Sequence, residues 1–279
     1  MITSTSNAQI KELAKLQKKS RLRDERRIFL VEGPRMVEEI PKERIERLYI
    51  SESFERKNPA YIRELGMPAE VLSDPVFSYV SDTKNPQGIL AVVKRLEYTM
   101  EDVLGKSALK CEEKSGEKEK NPENHQIRVP HVIVLDNLQD PGNLGTIIRL
   151  ADWFGIEHIF CSAGTADVYN PKTVQATMGA LARVKVHYCS LPQLIESLAD
   201  IPVYGTFLSG NIIYAESLSA HGLIVMGNEG KGVSPEVEKL INKKLYIPNY
   251  PQERETSESL NVAIATAVVC SEFRRRLLP

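Results

Sequence analysis

Hydrophobic positions follow two alternating spacings along the C-terminal half of the chain. Short runs rich in β-branched residues, such as Val132–Asp136, are typical of strands buried on both faces of a parallel sheet. The segments between them carry apolar residues three and four positions apart, as at Ile147, Ile148 and Ala151, which is the spacing of an amphipathic helix. This alternation predicts an α/β domain with a mostly parallel, doubly wound sheet.

The individual elements of this domain can be placed from the same pattern. Strands are expected at Val132–Asp136, Ile159–Cys161, Val184–His187, Val203–Phe207, Ile224–Met226 and Leu245–Ile247. Helices are expected at Asn143–Phe154, Lys172–Leu181, Gln193–Ala199, Pro235–Ile241 and Leu260–Arg276. Gly155 follows the first helix and is the expected C-terminal cap. Ser234 and Pro235 occupy the N-cap and first-turn positions of the fourth helix.

The N-terminal part of the chain predicts a smaller α/β unit. Ser6 and Gln9 form an S-x-x-Q capping box ahead of apolar residues at helical spacing. The run from Ile28 to Ile40 has the pattern of a strand, a turn and a helix. Further strands are expected at Leu48–Ile50 and Gly88–Val93, with a helix around Tyr61–Leu65.

A polar segment separates the two parts. Between Lys110 and Gln126 the chain has no Val, Ile, Leu, Phe, Tyr or Trp, and Lys and Glu dominate. Such a segment buries too little apolar surface to offset the entropy of ordering it. We therefore expect residues 1–98 to form one domain, residues 99–129 a charged flexible linker, and residues 130–279 the second domain.

The composition is that of an ordinary globular protein, with 42% hydrophobic and 26% charged residues and a net charge of −1. A neutral chain has no overall field that attracts nucleic acid, so any basic surface must be local. The segment from Ile10 to Arg27 carries eight basic residues against three acidic ones. A phosphate backbone explains this density, and so does a solvated helix face, and both interpretations stay open.

The sequence carries no marks of a membrane or metal protein. No apolar run approaches the roughly 20 residues that cross a membrane, and the first residues lack the pattern of a secretory signal. The four cysteines form no C-x-x-C pair and have no metal-like spacing with histidine. We therefore expect a cytoplasmic protein with reduced thiols, no metal and no membrane contact.

Three polar loops follow strands of the predicted sheet. They are Asn143-x-Gly145-x-x-x-Arg149, the glycine-rich stretch Gly227–Gly232, and the stretch from Pro248 to Ser259-Leu260-Asn261. Open α/β sheets bind ligands at the carboxyl ends of their strands, where these loops lie. The glycine-rich loop is not a P-loop, because Lys231 is followed by glycine rather than Ser or Thr. A nucleotide-dependent transferase using this loop on phosphates is therefore disfavoured.

Together the three loops resemble motifs 1 to 3 of the SPOUT methyltransferase superfamily, in its SpoU/TrmH branch of RNA ribose 2′-O-methyltransferases. The matching stretches are Asn143–Ala151, Ile224–Gly232, and Ile247-Pro248 with Ser259–Ala263. The N-terminal part is similar to that branch's substrate-binding domain at Ile2–Ser4, Glu32–Arg35, and Ser81–Thr83 through Gln87-Gly88. One stretch departs from the family, since Asn249–Glu258 is a longer, charged loop without glycine.

The resemblance implies a fold, a cofactor and an assembly. The C-terminal sheet would contain a trefoil knot that holds S-adenosylmethionine in a bent conformation, a small N-terminal α/β domain would bind the RNA, and the active protein would be a homodimer. The implied cofactor contacts are Leu208, Gly210, Gly227, Asn228, Ile247 and Leu260. The implied catalytic residues are Asn143, Arg149, Glu229, Ser259 and Asn261. The RNA contacts are assigned to Lys18, Lys19, Arg21, Arg23 and Arg26, from the basic density of the segment Ile10–Arg27, and to Arg35.

The resemblance also implies a role for Arg149 as the catalytic arginine. A guanidinium with a pKa above ~12 rarely gives up its proton, so we expect Arg149 to clamp the adjacent phosphate and polarise the 2′-hydroxyl. The phosphate or Ser259 would then pass on the proton. Asn143, Glu229 and Asn261 would hold Arg149 and the nucleotide through hydrogen bonds and charge.

Alternative functions remain open at this point. A non-catalytic RNA-binding or assembly factor that keeps the knot fold is one, and the altered loop after Pro248 keeps it open. Methylation of a base within the same superfamily is disfavoured, because the Asn-x-Gly-x-x-x-Arg arrangement accompanies ribose targets. Ribosomal RNA is favoured over transfer RNA, because the separate N-terminal domain resembles domains that bind structured RNA.

Overall fold

The structure of the protein is a computed structural model, which describes residues 1–98, 131–198, 201–251, 254, 257 and 259–278. It divides into two compact units. The first comprises Met1–Leu96, Asp140–Arg149 and Ala166–Arg183, and the second comprises Glu97–Gln139, Leu150–Thr165 and Val184–Pro279. The charged segment expected to be a linker, residues 99–129, lies outside the described residues.

The first unit is built on a four-stranded mixed sheet. Its strands are β1 (Ile28–Glu32), β2 (Ile45–Ser51), β3 (Glu70–Leu72) and β4 (Ile89–Lys94), in the order β1-β4-β2-β3. Strand β4 is antiparallel to β1 and β2, whereas β3 is parallel to β2. The helices are α1 (Ala8–Lys18), α2 (Ser20–Arg26), α3 (Pro34–Glu39), α4 (Glu52–Lys57), α5 (Pro59–Leu65) and α6 (Asp74–Val80). A short 3₁₀ turn covers Lys42–Arg44.

The first helix confirms the predicted apolar face but not the predicted cap. Its three core residues are Ile10, Leu13 and Leu16, and all three are buried. The N-cap is Asn7, whose side chain accepts from the backbone N–H of Gln9 at 2.9 Å. The assignment of Ser6 as the cap was wrong by one residue, because the Ser6 hydroxyl is instead hydrogen-bonded to that of Ser4 at 2.7 Å.

The second unit contains a seven-stranded sheet in which every paired neighbour is parallel. Its strands are β5 (Val132–Leu135), β6 (His158–Cys161), β7 (Lys185–Tyr188), β8 (Val203–Phe207), β9 (Asn211–Ile212), β10 (Leu223–Met226) and β11 (Lys243–Tyr246). Their order is β7-β6-β5-β10-β8-β11-β9. Strands β5, β6 and β10 are fully buried, as their uninterrupted apolar runs indicate.

The later helices are shorter or begin elsewhere than their periodicity predicts. They are α7 (Pro141–Trp153), α8 (Pro171–Thr177), α9 (Leu191–Ser197), α10 (Pro235–Glu238) and α11 (Val262–Arg275). The prediction of a single helix at Lys172–Leu181 was wrong. Helix α8 ends because Met178 and Gly179 adopt left-handed conformations, with φ of 51° and 94°, and a 3₁₀ turn follows at Ala180–Ala182.

The α/β class and the six strands expected in the C-terminal half are confirmed. Gly155 takes a positive φ of 62° after α7, as expected of a C-terminal cap. The short strands β3 and β9 were not predicted. The trefoil knot stays a prediction. None of the described helices has the length and apolar character needed to span a membrane.

Candidate active site

The polar loops of the second unit leave the same edge of its sheet. Strands β5, β10, β8 and β11 are successive parallel neighbours, so their carboxyl ends all point one way. The segments after β8, β10 and β11 together line a cleft of about 580 Å³. This volume lies in the range of small-molecule and cofactor sites.

A buried carboxylate ties two of these loops together. Asp136 follows β5, is 2% exposed, and its Oδ2 accepts from the backbone N–H of Ser234 at 2.7 Å. The next residue, Asn137, has a left-handed φ of 55°, and its carbonyl accepts from Nδ2 of Asn228 at 2.7 Å. Sequence reasoning missed Asp136 and Asn137, because they look like the end of a strand and an ordinary turn.

The glycine-rich loop is a tight turn closed by its own backbone. Asn228 and Gly232 exchange two backbone hydrogen bonds of 2.9 Å, and Oδ1 of Asn228 accepts from the N–H groups of Gly230 and Lys231. A Cβ on Gly227 would lie 2.3 Å from the carbonyl carbon of Gly232. Only glycine fits at position 227, so the tight turn that lines the cleft depends on it.

Five of the six predicted cofactor contacts line this cleft. They are Leu208, Gly227, Asn228, Ile247 and Leu260. Leu208 and Leu260 are 71% and 49% exposed, which leaves two large apolar side chains facing solvent at its wall. Gly210 is not among the lining residues. Gly210 has a φ of 148°, and an added Cβ would lie 2.7 Å from the carbonyl oxygen of Lys244. The backbone conformation and the close packing therefore explain the glycine at this position.

The lining suits an adenosyl group. Apolar side chains can cover the faces of an adenine ring, while the backbone of a glycine-rich turn supplies hydrogen bonds to its edge and to the ribose. The lining also includes Thr206, Met226 and Tyr246, none of which was assigned to the cofactor from the sequence. The cleft therefore offers what S-adenosylmethionine needs from its binding site.

Two of the predicted catalytic residues, Glu229 and Ser259, also line the cleft, and a third, Asn261, directly follows the lining residue Leu260. Glu229 is exposed, and its Oε2 accepts from the backbone N–H of Gln139 at 3.2 Å. Ser259 is exposed at the wall. Asn261 is the N-cap of α11, and its Oδ1 accepts from the N–H groups of Ala263 and Ile264 at 2.9 and 3.3 Å.

The other two predicted catalytic residues lie on α7, in the part of it that belongs to the first unit. The backbone N–H of Asn143 donates to Oδ1 of Asp140 at 2.8 Å, so Asp140 caps the helix. This bond and the ammonium of Lys172, 3.0 Å from Oδ2, lower the pKa of Asp140. Arg149 is exposed, and within the described ranges its guanidinium has no hydrogen-bond or ion-pair partner.

The close packing of α7 explains the glycine of its motif. A Cβ on Gly145 would lie 2.4 Å from the carbonyl oxygen of Thr173 and 2.6 Å from the Cβ of Ala176. Helices α7 and α8 can therefore approach this closely only with glycine at position 145. The Asn-x-Gly-x-x-x-Arg spacing thus combines a packing residue with two polar residues on one helix.

The basic residues near the N-terminus divide into exposed and buried ones. Lys18, Lys19 and Arg35 are exposed. Arg21 and Arg26 are exposed and are paired with Glu25 and Glu12. Arg23 does not fit its assigned role in RNA binding. It is 3% exposed, and its guanidinium donates to the carbonyl of Leu16 at 2.8 Å and to Asp167 at 3.0 Å, so it stabilises the first unit instead.

A parallel α/β sheet with a glycine-walled cleft at the carboxyl ends of its strands is typical of proteins that bind a nucleotide-like cofactor. Comparison with known families identifies which one. The SpoU rRNA methylase family matches residues 130–271, and the MRM3-like substrate binding domain matches residues 7–91. The chain belongs to the SpoU rRNA methylase family, and it is therefore an S-adenosylmethionine-dependent RNA methyltransferase.

Individual relatives agree with this assignment over nearly the whole chain. The chain is 31% identical to the 23S rRNA (guanosine(2553)-2′-O)-methyltransferase RlmP of Bacillus subtilis (strain 168), over 98% of each chain. A solved structure from Porphyromonas gingivalis, assigned to the TrmH family of RNA methyltransferases, is 37% identical, with a TM-score of 0.73 and 97% and 98% coverage. An AdoMet-bound rRNA methyltransferase from Sinorhizobium meliloti is 25% identical, with a TM-score of 0.78 and coverage of 100% and 98%.

Proposed function

We propose that this chain transfers a methyl group from S-adenosylmethionine to the ribose 2′-hydroxyl of one nucleotide in ribosomal RNA. The observation that carries the proposal is the cleft at the ends of β8, β10 and β11, where five of the residues assigned to the cofactor meet Glu229 and Ser259. Relatives named as 23S rRNA 2′-O-methyltransferases support the ribose target and favour ribosomal over transfer RNA.

The residues that would hold the cofactor are the apolar side chains of Leu208, Ile247 and Leu260 and the turn that begins at Gly227. When bound, the cofactor supplies a methyl group on a positively charged sulfur. The protein's task is then to hold the ribose oxygen in line with that methyl group, and such positioning removes much of the barrier.

Arg149 is the residue proposed to hold the RNA. Its guanidinium is exposed and has no partner among the described residues, so it can clamp a phosphate with two parallel hydrogen bonds. Because the guanidinium stays protonated, it polarises the 2′-hydroxyl rather than taking its proton. The proton would pass to the RNA phosphate, either directly or through the Ser259 hydroxyl, which donates its own proton as it accepts one, while Asn143, Glu229 and Asn261 would orient the nucleotide.

The experiment that tests this function measures tritium transfer from labelled S-adenosylmethionine to purified 23S rRNA and to bulk transfer RNA. The wild-type chain should label the ribosomal RNA, and Arg149→Ala should abolish labelling while cofactor binding persists. Arg63→Ala, which removes another exposed arginine, is the matched control and should retain labelling. Labelling of transfer RNA alone would refute the substrate assignment, and full turnover by Arg149→Ala would remove Arg149 from the mechanism.

The position of the modified nucleotide can be found in cells. Mapping 2′-O-methyl groups in the RNA of a strain that lacks this protein should show the loss of one mark in 23S rRNA. Complementation with the wild-type chain should restore that mark, and complementation with Arg149→Ala should not. An unchanged set of marks would favour a non-catalytic assembly factor.

We also propose that the active protein is a homodimer. Trp153 at the end of α7 is 83% exposed, and Ile264 in the first turn of α11 is 55% exposed, so two large apolar side chains of the second unit face solvent. Light scattering of the purified chain should give the mass of a dimer, and Trp153→Ser with Ile264→Ser should give a monomer. A monomeric wild-type chain at assay concentration would contradict this.

The proposed domain organisation and location follow the same reasoning. Residues 1–98 would bind RNA and residues 130–279 would carry the methyltransferase activity, a division that the two family matches support. Cys161, Cys189 and Cys270 are free thiols, and burial raises the pKa of Cys270 to about 12. Free thiols suit the reducing cytoplasm, where we place the protein. The described residues contain no group of side chains able to hold a metal ion.

A further inference from the structure

A second cavity, of about 370 Å³, lies within the first unit. Leu30, Val174 and Met178 form apolar parts of its wall. Gly142 also lines it, one residue before Asn143 in α7. A cavity of this size with an apolar wall and a few polar groups is typical of a small-molecule site.

The polar groups of this cavity are mostly hydrogen-bond acceptors. The Asp82 carboxylate lines it and has no hydrogen-bond or ion-pair partner in the described part of the chain. Oε1 of Gln17, on the same wall, is buried and also has no partner there. Lys172 supplies a positively charged donor. Lys172 also binds Asp140 at 3.0 Å, and the Gln175 amide can donate or accept, so an occupant that presents several N–H donors next to one acceptor suits this lining.

The turn that carries Asp82 is fixed by a buried carboxylate. Glu32 is 7% exposed and accepts from the Ser81 hydroxyl at 2.8 and 2.9 Å, from the Thr83 hydroxyl at 3.1 Å and from the backbone N–H of Gln87 at 3.3 Å. Glu32 therefore holds this turn in one conformation before any ligand arrives. A preformed site loses less free energy to ordering when it binds.

We propose that this cavity binds an unpaired guanine base of the substrate RNA. Guanine has two adjacent N–H donors, at N1 and N2, beside an acceptor, O6. The Asp82 carboxylate accepts from the pair, Gln17 accepts from the second N2 hydrogen, and Lys172 donates to O6. The Watson–Crick edges of adenine, cytosine and uracil do not present two adjacent donors. Proteins commonly read unpaired RNA bases on this edge. The inference rests on RNA being the substrate, as proposed above.

The test is fluorescence anisotropy of the full chain with labelled pentanucleotides UUGUU and UUIUU, in which inosine lacks only the N2 amino group. Hydrogen bonds to charged groups predict that the guanine oligomer binds about tenfold more tightly. Asp82→Asn should remove this preference. Glu43→Gln, which removes one exposed carboxylate that is not part of the cavity wall, is the matched control and should keep it.

Equal binding of the two oligomers by the wild-type chain would overturn the proposal, and so would a guanine preference that persists in Asp82→Asn. The assay involves no methyl transfer. A chain that fails to methylate RNA but still prefers guanine would refute the proposed catalytic function and leave this inference standing. A chain that methylates RNA but shows no preference for guanine would support the proposed catalytic function and refute this inference.

Discussion

Asn261 allows the structural and catalytic parts of the candidate site to be separated by one pair of substitutions. Its Oδ1 makes two capping hydrogen bonds at the start of α11. Asn261→Ala removes both and should lower the free energy of unfolding by about 1 kcal/mol, the usual loss for an N-cap. For a unit of this size that corresponds to a melting temperature lower by roughly 2–4 °C. Asn261→Ser should restore the cap, because serine is as good an N-cap as asparagine.

Serine lacks the Nδ2 amino group, so it should not restore a contact with the nucleotide. We therefore expect Asn261→Ser to melt like the wild type but to stay impaired in tritium transfer. Asn7→Ala, which removes the cap of α1, is the matched control, and it should melt earlier with its turnover unchanged. Full turnover by Asn261→Ser would show that Asn261 acts only as a cap. An unchanged melting temperature in Asn261→Ala would refute the capping argument itself.

Three further predictions test other parts of the molecule. Gly227→Ala should weaken S-adenosylmethionine binding in calorimetry, because its Cβ would clash with the backbone of the turn. Gly230→Ala is the control and should not weaken binding, because its Cβ would lie 3.8 Å from its nearest neighbour. Equal affinities of the two variants would contradict the argument. Arg275 and Arg276 lower the pKa of Glu272 from 4.5 to about 2, so stability present above pH 4.5 should be lost as the pH falls toward 2. In Glu272→Gln the melting temperature should depend less on pH over that range. A pH profile identical to that of the wild type would count against the ion pairs. Arg23→Ala should lower the melting temperature, whereas Lys19→Ala should lower only the affinity for RNA. If Arg23→Ala instead lowered only the affinity for RNA, Arg23 would bind RNA as the sequence predicted.

The sequence predicted the sheet of the second unit well because its strands are buried on both faces. Runs such as Val132–Leu135 and Leu223–Met226 carry no polar residue, and short apolar runs between turns are typical of buried strands. The helix boundaries were less predictable. Helix α8 ends early because Met178 adopts a positive φ, which apolar periodicity does not report. Strands β3 and β9 are two or three residues long, too short to show any period.

The sequence predicted the residues of the candidate site that belong to a motif, but it missed the residues that hold the motif loops in place. Leu208, Gly227 and Leu260 line the cleft as expected. Arg23 was assigned to RNA from local charge density alone, which does not indicate which side of a helix faces inward. Its carboxylate partner, Asp167, is distant in sequence, so only the fold reveals the pair.

The supporting residues also connect the turn after β5 to the glycine-rich loop after β10. The loop after β10 is held by Asp136 and by the carbonyl of Asn137, both of which follow β5. A change at Asp136 would therefore move Gly227 and Glu229 without touching either residue. Because Asp136 is buried and bonded to a backbone N–H, its loss would leave that donor unsatisfied at a cost of about 1–3 kcal/mol. The shape of the cleft thus depends on a carboxylate that does not line it.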